Sequence, residues 1–374
     1  MFKKMQLSKI IQNKKMENHE QDKHSHPKTE TPIPKAIITH GDTNGIGYEV
    51  IMKALSDNRV FDFINPVVYG NSKLASYHKK TVDLPNFNFN LVKNIDSANP
   101  KKANILNIIE EEVKVELGHE TPLSGKMAFL SLEKAVQDIL KKKSEILITA
   151  PVHKNAVQAV YPNFTGHTEF LAEQLNSKEI LMIMSSRLMR IALATTHVAI
   201  ADVPKLITTE LLIRKLYLFY QSLIQDFNID RPKIAVLGLN PHASDGGLFG
   251  KEEIEVITPA IKELHKEGME IFGPFPADGF FGNMIFKDFD GILAMYHDQA
   301  LIPFKSLSFD DGVNFTAGLP IVRTSPAHGT AFDIAGKNMA SANSFINALL
   351  LAAEIHTNRT NYIEYRKNRL DSDK

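Results

Sequence analysis

Three histidines stand where nitrogen ligands alone could hold a metal ion. His197, His242 and His297 each fall within five residues of the end of an apolar, strand-like run, and open α/β sheets bind ligands outside the carboxyl ends of their strands. Three neutral imidazoles would leave a divalent cation its full charge and an open coordination position, as catalytic sites require. Their spacings of tens of residues are far too long to count as a metal motif, and any one of them alone could be a hydrogen-bonded loop histidine. A second group suits anions: His167, Thr168, Lys305, Asn314 and Arg323. Arginine grips carboxylate or phosphate in a fork, whereas lysine supplies a point charge or a tunable base. Taken singly, each could be a surface charge, and Thr168 could cap the helical run that follows it. Lys305, His167 and Asp278 are the candidates for moving protons. A third run, residues 327–337, is rich in turns; Gly329 there permits close backbone approach to a ligand, and His328 and Asp333 offer polar contacts.

These groups need elements to carry them, and the chain alternates apolar strand-like runs with helical periodicity. Strands are predicted at 35–39, 66–69, 105–109, 145–149, 181–184, 190–194, 233–237 and 291–295. Helices are predicted at 48–55, 72–80, 124–143, 209–227, 252–266 and 344–356. The alternation implies an α/β fold with a largely parallel sheet. Residues 295–337, punctuated by Pro303, Gly312, Gly318 and Pro320, read as loops and short strands that wall an active site. Residues 268–276, with Gly268, Gly273, Pro274 and Pro276, read as a connection. The glycine loop at 41–47 between strand and helix suits either a phosphate cradle or a tight turn, because its spacing is neither a dinucleotide fingerprint nor a P-loop.

Composition narrows the chemistry. The 374 residues, 43% hydrophobic and 23% charged, suit a globular protein with a large core. Lys plus Arg equals Asp plus Glu at 43 each, which gives no basic excess for nucleic acid. There is no cysteine, so thiolate metal sites and cysteine nucleophiles are excluded. No apolar run reaches the roughly 20 residues of a membrane helix, and the cytoplasm is the expected location. No G-x-S-x-G, Walker A or H-E-x-x-H pattern supports a hydrolase or kinase. Residues 1–34 read as a disordered polar tail; its His19, His24 and His26 could bind metal only weakly.

Seven stretches are more specific. Gly41-Asp42 with Gly45-Ile46-Gly47, Pro151-Val152-His153-Lys154, Phe164 to Phe170, Ala194-Thr195-Thr196-His197, Gly238 to Ala243, Met295 to Gln299 and His328-Gly329-Thr330-Ala331 occur in one order. In this the chain resembles the 4-hydroxythreonine-4-phosphate dehydrogenase family of vitamin B6 biosynthesis. The resemblance implies an isocitrate/isopropylmalate-dehydrogenase-like fold, two α/β/α domains around a cleft. The expected division is 35–160 plus 308–366 for the first domain and 161–307 for the central one. Also implied are NAD or NADP as oxidant, with His328, Gly329 and Asp333 at the cofactor, and a divalent metal (Zn, Mg, Mn or Co) on His197, His242 and His297. Substrate contacts would come from His167, Thr168, Lys305, Asn314 and Arg323, in a homodimer with active sites at the subunit interface. The chain departs from the pattern at Thr43-Asn44, where Pro-Ala is common, at Ala300 for Gly, and at Phe332 for Pro. Dehydrogenases of phosphorylated threonate or erythronate share most of the stretches. A phosphoacyl transferase of the same broad fold and a non-catalytic metabolite-binding protein are the rival readings.

Overall fold

In a computed structural model, residues 33–110 and 113–367 are described; the expected tail at 1–34 lies almost wholly outside them. The first half of the chain follows the predicted alternation, with one strand, β3, that was not predicted: β1 (Lys35–Thr39), α1 (Gly47–Leu55), β2 (Asn65–Gly70), α2 (Ser72–Lys79), β3 (Asn90–Val92), β4 (Asn104–Asn107), α3 (Pro122–Leu140) and β5 (Ile146–Thr149). Two short helices follow, α4 (Lys154–Gln158) and α5 (His167–Gln174), then the antiparallel pair β6 (Leu181–Ser185) and β7 (Arg190–Leu193). Next come α6 (Val203–Leu206), α7 (Thr209–Gln225), β8 (Lys233–Leu237), α8 (Thr258–Lys266), β9 (Glu270–Phe275), α9 (Ala277–Gly282) and β10 (Gly291–Ala294). The chain closes with α10 (His297–Ser308), β11 (Val313–Ala317), β12 (Val322–Pro326) and α11 (Asn343–Lys367).

All twelve strands join one sheet in the order β3-β4-β2-β1-β5-β12-β11-β6-β7-β10-β8-β9. Most pairings are parallel, as expected, and the antiparallel ones, β12 with β11, β11 with β6 and β6 with β7, sit together in the middle. Strands covered on both faces read as continuous apolar runs; Ile37, Ile38, Ile146, Leu147 and Ile148 of β1 and β5 are all fully buried. The last helix, α11, continues beyond the predicted His356 to Lys367 and packs on β12, β5 and β11 through a face that includes Phe345, Leu349 and Ala352. Among the described residues, no helix is long and apolar enough to cross a membrane.

Several local expectations are corrected. Residues 297–308 form a helix rather than loops, although Pro303 lies inside it. Proline removes a helical donor, but Ala300, Leu301, Phe304 and Ser308 make a buried face that keeps α10 on the sheet. Residues 270–275 are not a connection but the edge strand β9, a position where proline costs no ladder bond on the open side. The helix expected over 252–266 opens instead as a π turn, Glu253–Ile257, before α8. The helix expected over 124–143 begins earlier, at Pro122, with Thr121 as its cap, and stops at Leu140.

The glycine loop proves to be a clamp, not a phosphate cradle. Its amides are already engaged: Asp42 N donates to Pro151 O at 2.8 Å, Asn44 N to Asp42 Oδ1 at 2.8 Å and Ile46 N to Thr330 O at 3.1 Å. Gly41 has φ +73° and a Cβ there would lie 2.4 Å from Pro151 O, so no other residue fits. Asn44 uses its side chain to accept from Glu116 N and to donate to His119 O, both at 2.9 Å. The loop thereby ties the segments at 116–119, 151 and 330 together beside the cleft.

Candidate active site

Strands β5, β6, β11 and β12 and helix α10 border an open cleft of about 700 Å³. His167, Lys305, Asn314, Arg323, His328 and Gly329, all singled out in the sequence, line it; so do Thr149, Lys154 and the apolar Met182, Met184 and Leu301. No acidic side chain is among the lining residues. Thr168 lies just behind the wall. It does not cap α5, because Gly166 takes that place, and its hydroxyl instead stands 3.5 Å from an Arg323 amino group. Asp333, exposed in the turn Phe332–Ile334, and Asp278, exposed on α9, do not line the cleft.

Arg323 is only 3% exposed. Its Nη2 donates to Thr149 Oγ1 at 2.8 Å and its Nη1 to Thr316 Oγ1 at 3.2 Å, while Nε is buried with no partner. Hydroxyls satisfy donors but cancel no charge. Burial therefore pulls the guanidinium down to about 10, with the charge of Glu169 opposing the fall. A buried cation without a paired anion is costly, and an anionic ligand would remove that cost. His167 is held well below its ordinary range by burial and by the charges of Arg323 and Lys154; at neutral pH it is an uncharged hydrogen-bonding group. His328 is lowered too, by burial first and by Lys305. Its Nδ1 stands 3.0 Å from Gly329 O, an acceptor only, so Nδ1 carries the proton and the buried Nε2 is a free acceptor. Asn314 Oδ1 is likewise buried without a partner.

The predicted metal ligands are brought together in part. The rings of His197 and His297 lie 6.1 Å apart. Each has a carboxylate at Nδ1, Glu169 at 3.6 Å and Asp298 at 2.6 Å, which leaves both Nε2 atoms free. A carboxylate on one ring nitrogen is the usual brace for a metal-binding histidine, so donor type and orientation fit a divalent cation. His242 stands apart from this pair, in a run of left-handed backbone from His242 to Gly246, with its ring 6.2 Å from that of Phe249. Among the described residues, no three His, Asp or Glu side chains are grouped closely enough to hold one ion.

Several contributors were given no role by the sequence reading. Gln299 accepts from Met295 N and donates to Gly238 O, both at 2.7 Å, and so joins the loops bearing His297 and His242. The buried Glu253 accepts from Leu239 N and Asn240 N at 2.7 Å and anchors the His242 loop from the π turn. Glu253 gives no signal in the sequence. Lys154 and Thr149 had one, since both flank the strand end at residue 150.

Comparison with known proteins gives the family and the fold. The family model described as "Pyridoxal phosphate biosynthetic protein PdxA" matches residues 62–352. The 4-hydroxythreonine-4-phosphate dehydrogenase of Bacteroides thetaiotaomicron is 47% identical over 323 residues, covering 86% of this chain and 88% of its own. A protein of Oceanobacillus iheyensis provisionally named D-threonate 4-phosphate dehydrogenase is 39% identical over 332 residues, covering 85% and 96%. The crystal structure of 4-hydroxythreonine-4-phosphate dehydrogenase from Klebsiella pneumoniae has a TM-score of 0.75 at 31% identity, covering 87% of this chain and 99% of that one. The likeness bears out the expected dehydrogenase-type α/β fold.

Proposed function

The chain belongs to the pyridoxal phosphate biosynthetic protein PdxA family, and from that membership we propose that it oxidises the C3 hydroxyl of 4-phosphooxy-L-threonine with NAD or NADP. The product, 2-amino-3-oxo-4-phosphooxybutanoate, loses carbon dioxide to give 3-amino-2-oxopropyl phosphate for pyridoxal phosphate biosynthesis in the cytoplasm. Arg323 carries this reading: a buried cation without a carboxylate partner, facing a cleft that no acid lines, suits a substrate with anionic ends.

The bound nicotinamide would accept the hydride, and a divalent cation would supply Lewis acidity at the substrate oxygens. Arg323, Asn314, His167 and Thr168 hold the phosphate and carboxylate in reacting geometry, while Lys305 moves the hydroxyl proton. His328, Gly329 and Asp333 border the cofactor. His197, His242 and His297 are the assigned cation ligands, and nitrogen donors favour zinc over magnesium, with manganese and cobalt between. A homodimer with shared active sites accounts for the apolar side chains left exposed around these histidines, Val198, Ile200, Leu248, Phe249 and Ile302. Asp278, exposed and outside the cleft, keeps its assignment as a proton-transfer residue. The division into lobes at 35–160 plus 308–366 and at 161–307 is kept as part of the proposal. It is supported by the sheet order, which sets β1 to β5 with β12 on one flank and β6 to β10 on the other.

NADH or NADPH formation with 4-phosphooxy-L-threonine, with and without chelator, tests the proposal. The expected result is a chelator-sensitive signal with carbon dioxide released; equal turnover of unphosphorylated 4-hydroxythreonine, or no carbon dioxide, overturns it. Because of the Oceanobacillus iheyensis relative, D-threonate 4-phosphate belongs in the same assay, and faster turnover of it would assign the chain to that substrate.

A further inference from the structure

Lys154 has no role in the function set out above, yet it lines the same cleft as Arg323 and Lys305. It opens α4, directly after the loop that leaves β5. A Cβ at Gly166 would lie 3.4 Å from Lys154 Nζ and 3.4 Å from its Cε. The same point lies 2.7 Å from Glu169 Oε2, so Gly166, at φ +150°, is where the side chains of Lys154 and Glu169 approach one another at the cleft wall. The Lys154 charge is felt inside, where it depresses His167 and Glu169 together with other groups. Among the described residues, no carboxylate forms an ion pair with it. Gly166 and His167 also bring the amino-terminal end of α5 to the cleft wall, and that end of a helix favours negative charge.

Its place distinguishes Lys154 from a surface lysine, since it lines a cleft with Arg323 and Lys305 and no acidic side chain is among the lining residues. A phosphate monoester carries about −1.5 to −2 at neutral pH, and a carboxylate adds one more negative charge. Arg323 and Lys305 supply two positive charges, and the neutral His167 and His328 add none. We propose that Lys154 is a further substrate-binding residue, its ammonium group pairing with the substrate's phosphate beside Arg323 and Lys305 in the cleft they line together. The proposal rests on the phosphorylated substrate assigned above, but the binding of phosphate itself can be measured separately.

The test compares Lys154→Gln and Lys154→Arg with the wild-type enzyme in two assays. In calorimetric titration with inorganic phosphate, wild-type affinity should rise as the probe gains its second negative charge near neutral pH, because Lys154, Arg323 and Lys305 face the anion while Glu169 is engaged by His197. Lys154→Gln should lose most of that rise, and Lys154→Arg should keep it. In steady-state turnover, Lys154→Gln should raise KM for the phosphorylated substrate about tenfold to a hundredfold, with kcat falling less than KM rises and Lys154→Arg restoring most of the loss. Wild-type enzyme that binds no phosphate, or Lys154→Gln enzyme that keeps both KM and the pH-dependent gain, overturns the proposal. A fall in kcat and in unfolding temperature together, unrescued by arginine, makes Lys154 structural and also overturns it. If no phosphorylated hydroxy acid is oxidised at all, the dehydrogenase reading fails while the phosphate titration still decides the role of Lys154.

Discussion

Replacing Arg323 by methionine should separate function from stability. Burial lowers this guanidinium from its ordinary range to about 10, which amounts to about 3 kcal/mol of unfavourable desolvation at neutral pH. The folded protein carries that cost whenever the cleft holds no anion. The sign follows from proton counting: above about pH 10 the unfolded chain still holds the proton that the folded chain releases, so stability rises with pH there. Methionine removes the cost but also removes the donors to Thr149 and Thr316, worth about 1 kcal/mol each. The two effects nearly cancel, and Arg323→Met should unfold within a few degrees of wild type or slightly above it. Substrate binding should not survive so well. Losing a positioned charge against a buried anion costs about 2–5 kcal/mol, so kcat/KM should fall on the order of a hundredfold or more. Arg323→Lys should lie between, since lysine keeps the charge and loses the fork. Differential scanning fluorimetry with and without inorganic phosphate gives the stability arm, where phosphate should raise the wild-type midpoint but not that of Arg323→Met. A large drop in unfolding temperature with kcat/KM kept would mean that Arg323 only braces β12, and the anion-site argument would be wrong.

Two further outcomes follow from groups around the site. Burial raises the Glu169 carboxyl, but the His197 hydrogen bond, its own backbone amide and the charges of His197 and Lys154 together hold it below the usual range. Glu169→Gln should therefore weaken the brace on His197 and lower divalent-cation affinity about tenfold to a hundredfold, measured by competition with a chromophoric chelator; unchanged affinity would break the link between Glu169 and the metal. Below the glycine loop, His40 and His78 stack on either face of Tyr48, with ring centroids 5.2 and 5.0 Å away, and burial drives each from 6.5 to about 4. Between those values the unfolded chain takes up protons that the folded chain refuses, so stability is full above about pH 6.5 and falls as pH drops toward 4. The loss by pH 5 is about 2 kcal/mol per histidine. Urea midpoints near pH 7 and near pH 5 measure it, and His78→Phe should show the smaller drop; an equal drop in both proteins would discount His78.

The fold was legible where burial leaves a pattern and illegible where it does not. Strands β1, β5, β8 and β10 are covered on both faces and show as apolar runs, whereas the edge strands β3 and β9 are partly exposed and carry asparagine, glycine and proline. Strand direction has no signature in residue pattern, which is why the antiparallel centre of the sheet was not foreseen. Proline read as a break in α10 because propensity is local, while the burial that holds the helix is not. The site shows the same division more sharply. The sequence conveys that an arginine can bind an anion, and the family resemblance pointed to Arg323 among the candidates. What makes Arg323 a binding group, however, is the absence of something. Arg359 is also largely buried, and its Nε meets Asp226 at 2.6 Å; Arg323 meets only hydroxyls. Asp226 lies 133 residues from Arg359, so no local pattern announces that one cation is satisfied and the other is not. Lys154 was given no role for a related reason: that it lines the cleft beside Arg323 and Lys305 shows only in the folded chain. Chemical type is thus readable residue by residue, but the vacancy that turns a charged residue into a binding site is a property of the folded chain.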